Sequence, residues 1–227
     1  MPDPHVTVTL VNELNLLAAG LFLLATFGLV ATRQVLDCVA LFAAQSIMLA
    51  ASAALLGHEA ASNHLYAVAA ITIVAKALLI PWLLRRTASE VVVARREISQ
   101  ALNIPTSLLV ALALAILAYF LSGPLRAAAP SGQSGVNLPI GLATLLIGAF
   151  TVTVRREALP QVLGLLSMEN GAFFAGVAIA SDLPLFAELA AAFDVLVIAL
   201  VMGLLTRKLH EQAGSTAVSD LTDLREE

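Results

Sequence analysis

The sequence predicts an all-α integral membrane protein with about seven transmembrane helices, arranged as two parallel three-helix units joined by one helix. Three observations carry that prediction. Apolar residues make up 59% of the 227-residue chain and charged residues 12%, with a mean hydropathy of +0.92; soluble domains hold roughly 45–50% apolar residues. Those apolar residues gather into seven runs, most of them able to cross an apolar layer of about 30 Å at about 1.5 Å per residue. With seven crossings, nearly all basic residues fall on one side.

The runs follow one another with clear breaks. The first covers 14–31 and stops before Arg33, and the second, 35–56, stops at Gly57-His58-Glu59. The third, 65–84, gives way to the polar stretch 85–103. Pro105 opens the fourth, in a first turn where a missing N–H is harmless; at 105–121 it is only about 17 residues long. After a stretch at 122–137, the fifth run, 138–154, ends at Arg155-Arg156-Glu157. The sixth, 159–180, ends at Ser181-Asp182, and the seventh covers 185–205. The expected organisation is a first unit at 1–86, an amphipathic linker at 87–104, a connecting helix at 105–121, an external loop at 122–137, a second unit at 138–206 and a tail at 207–227.

Basic residues orient the chain. Arg33, Arg85, Arg86, Arg95, Arg96, Arg155, Arg156, Arg207, Lys208 and Arg225 lie on one side, and only Arg126 on the other. The N-terminus is expected outside and the tail in the cytoplasm, in a prokaryotic inner membrane. The net charge of −4 reflects mainly Asp220, Asp223, Glu226 and Glu227 in that tail. A cleavable signal peptide is not expected, because 1–12 lacks a basic segment and carries Asp3. Between the third and fourth runs, Val91, Ala94, Ile98 and Leu102 share one helical face, which reads as an amphipathic helix on the cytoplasmic surface. Solvated cover and docking of a soluble subunit are both open to it.

No soluble-type catalytic site is visible. There is no glycine-rich phosphate loop and no His-Glu-x-x-His, and His5, His58, His64 and His210 all fall in tails or loops. The single cysteine, Cys38, allows no internal disulfide and reads as a packing residue. No cofactor is expected in this chain. Redox chemistry would come from another chain, and nothing points to nucleic acid.

The charges inside the runs carry the information. Lys76, Glu169, Glu188 and Asp194 stand in otherwise apolar stretches, where a charge costs several kcal/mol unless it has a partner or a task. Runs one to three and five to seven share a plan: an inward helix, a tight basic turn, a helix with a polar group at mid-depth, then one with a charge. Gln45 lies 12 residues beyond Arg33, Glu169 lies 13 beyond Arg156 and Asp194 lies 13 before Arg207, which puts each about 18 to 20 Å deep. Lys76, 9 residues before Arg85, is about 13 Å in. One unit thus holds an amide and a cation, the other two carboxylates.

Desolvation raises a carboxylate's pKa and a nearby ammonium lowers it, so such groups can titrate near neutral pH, as a proton relay requires. Glu169, Asp194, Lys76 and Gln45 are the candidate relay residues. Asn170 and Thr72 are secondary candidates, and Ser46 and Ser167 add polar neighbours within a turn. Glu188 lies near the end of its run, where interfacial solvation is the simpler reading. The structural alternatives are a static helix pair for Asp194 and Glu169 and a register-fixing ion pair for Lys76. Gly141 with Gly148 and Gly164 with Gly171 put flat stripes on the fifth and sixth helices, which predicts close packing. Pro81 is expected to kink or end its helix, and Trp82 to anchor at the interface.

These residues also meet a family. Arg155-Arg156-Glu157-Ala158-Leu159, Gly164, Glu169 and Leu189-Ala190-Ala191-Ala192-Phe193-Asp194 resemble the K-type small membrane subunit of respiratory complex I, which carries membrane-buried glutamates on its second and third helices. Asp194 falls one residue from the second of these, and Glu169 one turn beyond the first. Over 12–205 the chain is more similar to hydrogenase-4 component E. The stretches Ile71-Thr72-Ile73-Val74-Ala75-Lys76-Ala77-Leu78-Leu79-Ile80-Pro81, Ser167-Met168-Glu169-Asn170-Gly171 and Asn103-Ile104-Pro105 carry that likeness. It implies a non-catalytic membrane subunit beside antiporter-like subunits and a soluble hydrogenase-type arm, in formate hydrogenlyase-type complexes. On this reading Glu169 and Asp194 carry protons or sodium ions, Lys76 tunes them and Gln45 is a neutral relay. A free-standing ion or solute transporter, an antiporter subunit and a pure assembly subunit are the alternatives.

Overall fold

A computed structural model describes residues 4–87, 101–128 and 135–179. They form helices throughout, with no β-strand among the described residues: α1 (Pro4–Ala31), α2 (Val35–Glu59), α3 (Asn63–Thr72), a π-helical segment (Ile73–Leu79), α4 (Ile80–Thr87), α5 (Ile104–Ala128), α6 (Asn137–Val154) and α7 (Ala158–Ile179). Helices suit a lipid-facing chain because each satisfies its backbone polar groups internally. Among the described residues, five stretches are long and apolar enough to cross a membrane: Thr9–Ala31, Val35–Glu59, Asn63–Arg85, Ile104–Leu125 and Asn137–Val154. At 22 residues α7 has a comparable length, with Gln161, Glu169 and Asn170 among its apolar residues. The chain is a multi-pass membrane protein. The predicted seventh run, Glu188, Asp194, the tail and most of the amphipathic linker lie outside the described residues.

Local chemistry explains the ends. Asn103 caps α5, its Oδ1 accepting from the Thr106 N–H at 3.0 Å, and Pro105 sits in the first turn as expected. The fourth helix is longer than its predicted limits of 105–121: it continues through Ser122-Gly123-Pro124 to Ala128, into the stretch expected to be loop. Ser122 turns its hydroxyl back onto the Tyr119 carbonyl at 2.8 Å. Pro124 comes late enough that its missing N–H frees the carbonyl of Phe120 without ending the helix. Helix α1 likewise begins at Pro4, ten residues ahead of its predicted start.

Helices α6 and α7 form the tightest pair, through the two predicted glycine stripes. A Cβ on Gly148 would lie 2.6 Å from the Met168 nitrogen, and one on Gly141 or Gly171 would strike the facing backbone of Ala175 or Leu145. Gly164 is less crowded, with Val152 at 3.1 Å. Absence of side chains lets the two backbones touch. Helix α5 packs against α1 and α6, leaving Leu109, Leu112, Ile116, Phe120 and Leu125 exposed, as a lipid-facing helix would.

Arginine-bearing turns share one end of the bundle. The Arg155 Nη2 donates to the carbonyls of Leu29 at 2.7 Å, Val30 at 3.2 Å and Thr32 at 2.8 Å, closing the C-terminus of α1. The N–H of Ala101, just before α5, bonds to Val154 at the end of α6. Burial lowers the Arg155 pKa, and Glu157 offsets part of that effect; a guanidinium stays charged all the same.

Candidate functional site

The site begins with a proline. Pro81 has no N–H to offer the carbonyl of Ala77, and its ring crowds that carbonyl. Before it the helix widens: the Ile80 N–H bonds to Ala75 O, an i→i−5 step, within the π-helical segment that carries Lys76 at its centre. Such segments are rare and concentrate at functional sites. Counting 3.6 residues per turn from the buried Leu65 would put residue 83 on the inner face. The buried residue there is Leu84, and Leu83 is half-buried. The wide turn has therefore absorbed about one residue, which keeps Lys76, Ile80 and Leu84 all facing the bundle.

Lys76 reaches across to α7. Its Nζ lies 2.6 Å from Glu169 Oε1, and the side chains are 2% and 9% exposed. The Phe173 ring, one turn further along α7, is 5.9 Å from the ammonium, within cation–π range. Rather than snorkelling, the lysine stem turns inward to an ion pair in a low dielectric, where each charge depends on the other.

Beside the pair lies a layer of neutral polar groups. Gln45 Nε2 donates to Thr26 Oγ1 at 2.8 Å and to Ser167 Oγ at 2.9 Å. Its Oε1 accepts from Asn170 Nδ2 at 3.2 Å, and Asn170 also donates to Ser46 Oγ at 3.1 Å. Thr26 and Thr144 share a hydrogen bond of 3.2 Å. The layer thus ties α1, α2, α6 and α7 at one depth, and the hydroxyls of Thr26 and Ser46 complete it on the carbonyls of Phe22 and Phe42. Thr72 is buried one turn before Lys76. Of the candidate residues, the structure brings together Lys76 with Glu169 and Gln45 with Asn170.

Apolar packing closes the layer above and below. On one side Phe22 stacks on Phe174, with centroids 4.3 Å apart, among Ala19, Leu49 and Phe173. On the other, Leu29, Cys38, Val39, Phe42, Ile80, Leu84, Leu163 and Leu166 form a second cluster. Beyond the Phe22 side stands a further polar group that the sequence reading missed. Asn15 Nδ2 donates to Asn137 Oδ1 at 3.0 Å, Asn137 Nδ2 donates to Ser52 Oγ at 2.9 Å, and Ser52 Oγ donates to Asn15 Oδ1 at 2.6 Å. An amide at 15 inside the first run and one at 137 beside the fifth were the only signals. Among the described residues no cluster of His, Cys, Asp and Glu could hold a metal ion.

Known proteins match the chain over nearly its whole length. An uncharacterized protein of Mycobacterium tuberculosis is 32% identical over 209 residues, covering 92% of this chain and 94% of the relative. Hydrogenase-4 component E of Escherichia coli K12 is 27% identical over 215 residues, 91% of this chain and 95% of the relative, and the protein of that name from Shigella flexneri matches equally. The chain belongs to one family with the Mycobacterium tuberculosis protein and is a homologue of hydrogenase-4 component E. No family model matches it and no solved structure does. Its likeness to hydrogenase-4 component E runs over nearly the whole of both chains, so the buried ion pair and the amide layer lie within the shared length.

Proposed function

We propose that this chain is an accessory membrane subunit of a hydrogenase-type complex and that it contributes buried ionisable groups to proton or sodium translocation. Homology to hydrogenase-4 component E supports the first part. The Lys76–Glu169 pair, beside a hydrogen-bonded layer spanning four helices, is the observation that carries the second. Glu169 is the titrating group of the pair and Lys76 sets its proton affinity: approach of the ammonium favours the carboxylate, and a small separation lets burial favour the acid. Asp194 is the second carrier on this reading, and Gln45 a neutral relay. The arginine-bearing end faces the cytoplasm. Antiporter-like membrane subunits and a soluble arm are the expected partners, and that arm supplies the redox centres.

The test is reconstitution of the complex in vesicles with Glu169→Gln or Asp194→Asn, reading proton uptake coupled to turnover. The proposal expects coupling to fall at least tenfold while the complex still assembles. Unchanged coupling in both variants would remove the relay role.

A static interlock is the second reading, favoured by the 2.6 Å contact and the two apolar clusters that flank the layer. It expects neutralisation of Lys76, Glu169 and Asp194 together to lower the yield of complex and leave ion movement intact. A free-standing transporter would purify alone and bind a small solute.

A further inference from the structure

One polar atom of the amide layer is left over. Asn170 is 0% exposed; its Nδ2 serves Gln45 and Ser46, and its Oδ1 has no hydrogen-bond partner among the described residues. Buried amide oxygens are nearly always satisfied, by ordered water where no side chain serves. We propose that the outward end of the Asn170 carboxamide binds a buried water molecule, which ends the chain Thr144–Thr26–Gln45–Asn170.

The chemistry selects water over an ion. A cation needs several oxygens free to converge on it, and the neighbouring oxygens, Gln45 Oε1 and Ser46 Oγ, already accept the Asn170 amide protons. A second argument comes from the layer's symmetry. Gln45 and Asn170 can turn over together: Gln45 Oε1 then accepts from the hydroxyls of Thr26 and Ser167, and Gln45 Nε2 donates to Asn170 Oδ1. For this the Thr26 hydroxyl rotates off the Phe22 carbonyl, and the Ser46 hydroxyl rotates from the Phe42 carbonyl to Asn170 Oδ1. That reversed arrangement uses the same contacts between non-hydrogen atoms, since amide oxygen and nitrogen are nearly isosteric. It presents Nδ2 outward in place of Oδ1. A partner for both arrangements must donate in one and accept in the other, which water does.

This site deepens the relay reading without depending on it, because water, unlike a carboxamide, can accept a proton and pass one on with no change of bonding to undo. The experiment is a high-resolution map of the intact complex, wild type and Asn170→Leu. The expected result is a water peak within hydrogen-bond distance of the outward Asn170 atom, lost in the leucine variant while the Lys76–Glu169 pair remains. Should the variant fail to assemble, the wild-type map alone decides, with Asn170→Ser expected to keep the water. A dry contact there, or a side chain of this or another subunit in that place, overturns the proposal. Loss of the water site leaves the coupling test untouched, and failed coupling leaves the water site standing, so the two ideas fail separately.

Discussion

The Asn15–Ser52–Asn137 ring and the layer around Gln45 are both built from buried amides and hydroxyls, yet among the described residues only the second adjoins a buried ion pair. In the ring the amide nitrogens of Asn15 and Asn137 and the hydroxyl of Ser52 each find an acceptor within the three residues. It locks α1, α2 and α6 and offers nothing that can gain or lose a proton. The Gln45 layer adjoins Lys76 and Glu169, includes a buried acceptor with no hydrogen-bond partner among the described residues, and sits next to a helix widened into a π segment. On the proposed reading, burial of polar groups alone does not mark function, and a titratable group placed where its partner can hold or release it does.

The largest effect expected is on the ion pair. Lys76→Met leaves a buried, uncompensated carboxylate and should lower stability by about 3–5 kcal/mol, whereas Lys76→Met with Glu169→Met should lose much less. Thermal unfolding in detergent compares them, and equal losses would show that the pair does not act as a unit. Next comes the frame shared by ring and layer. Gly148→Ala meets backbone at 2.6 Å, whereas Gly164→Ala meets Val152, side chain and backbone nitrogen alike, at 3.1 Å, so the first should cost about 1–3 kcal/mol and the second clearly less. Asn137→Leu, which opens the ring, should cost about 1 kcal/mol, because polar groups inside a bilayer find substitute partners. Its coupling should match wild type. Thr144→Val removes one contact at the edge of the layer and should cost about 0.6 kcal/mol, the smallest shift of the series and readable only against the others in the same melting assay.

Much of this architecture was legible in the sequence. Apolar runs located six helices, Pro105 marked the start of α5, and the glycine stripes predicted close packing on α6 and α7, because each of these signals is local. Gln45, Glu169 and Lys76 stood out as polar groups in apolar runs. Their pairing did not: Lys76 and Glu169 stand 93 residues apart, and which helices pack face to face is set by tertiary contacts. Arg155 was read only as a basic residue of a turn. Its task of closing α1 joins residues 126 apart in sequence, a relation set by packing. The ring was missed for the same reason, since Asn15 and Asn137 are unremarkable until α1 and α6 meet. Ser122-Gly123-Pro124 misled, because these residues break helices in water and are tolerated inside a membrane helix.

The comparison between ring and layer reduces to one measurement: proton uptake coupled to turnover in the reconstituted complex, for Glu169→Gln beside Asn137→Leu. The account predicts at least a tenfold loss of coupling in Glu169→Gln and wild-type coupling in Asn137→Leu. Full coupling in assembled Glu169→Gln, or an equal loss in both variants, would contradict it.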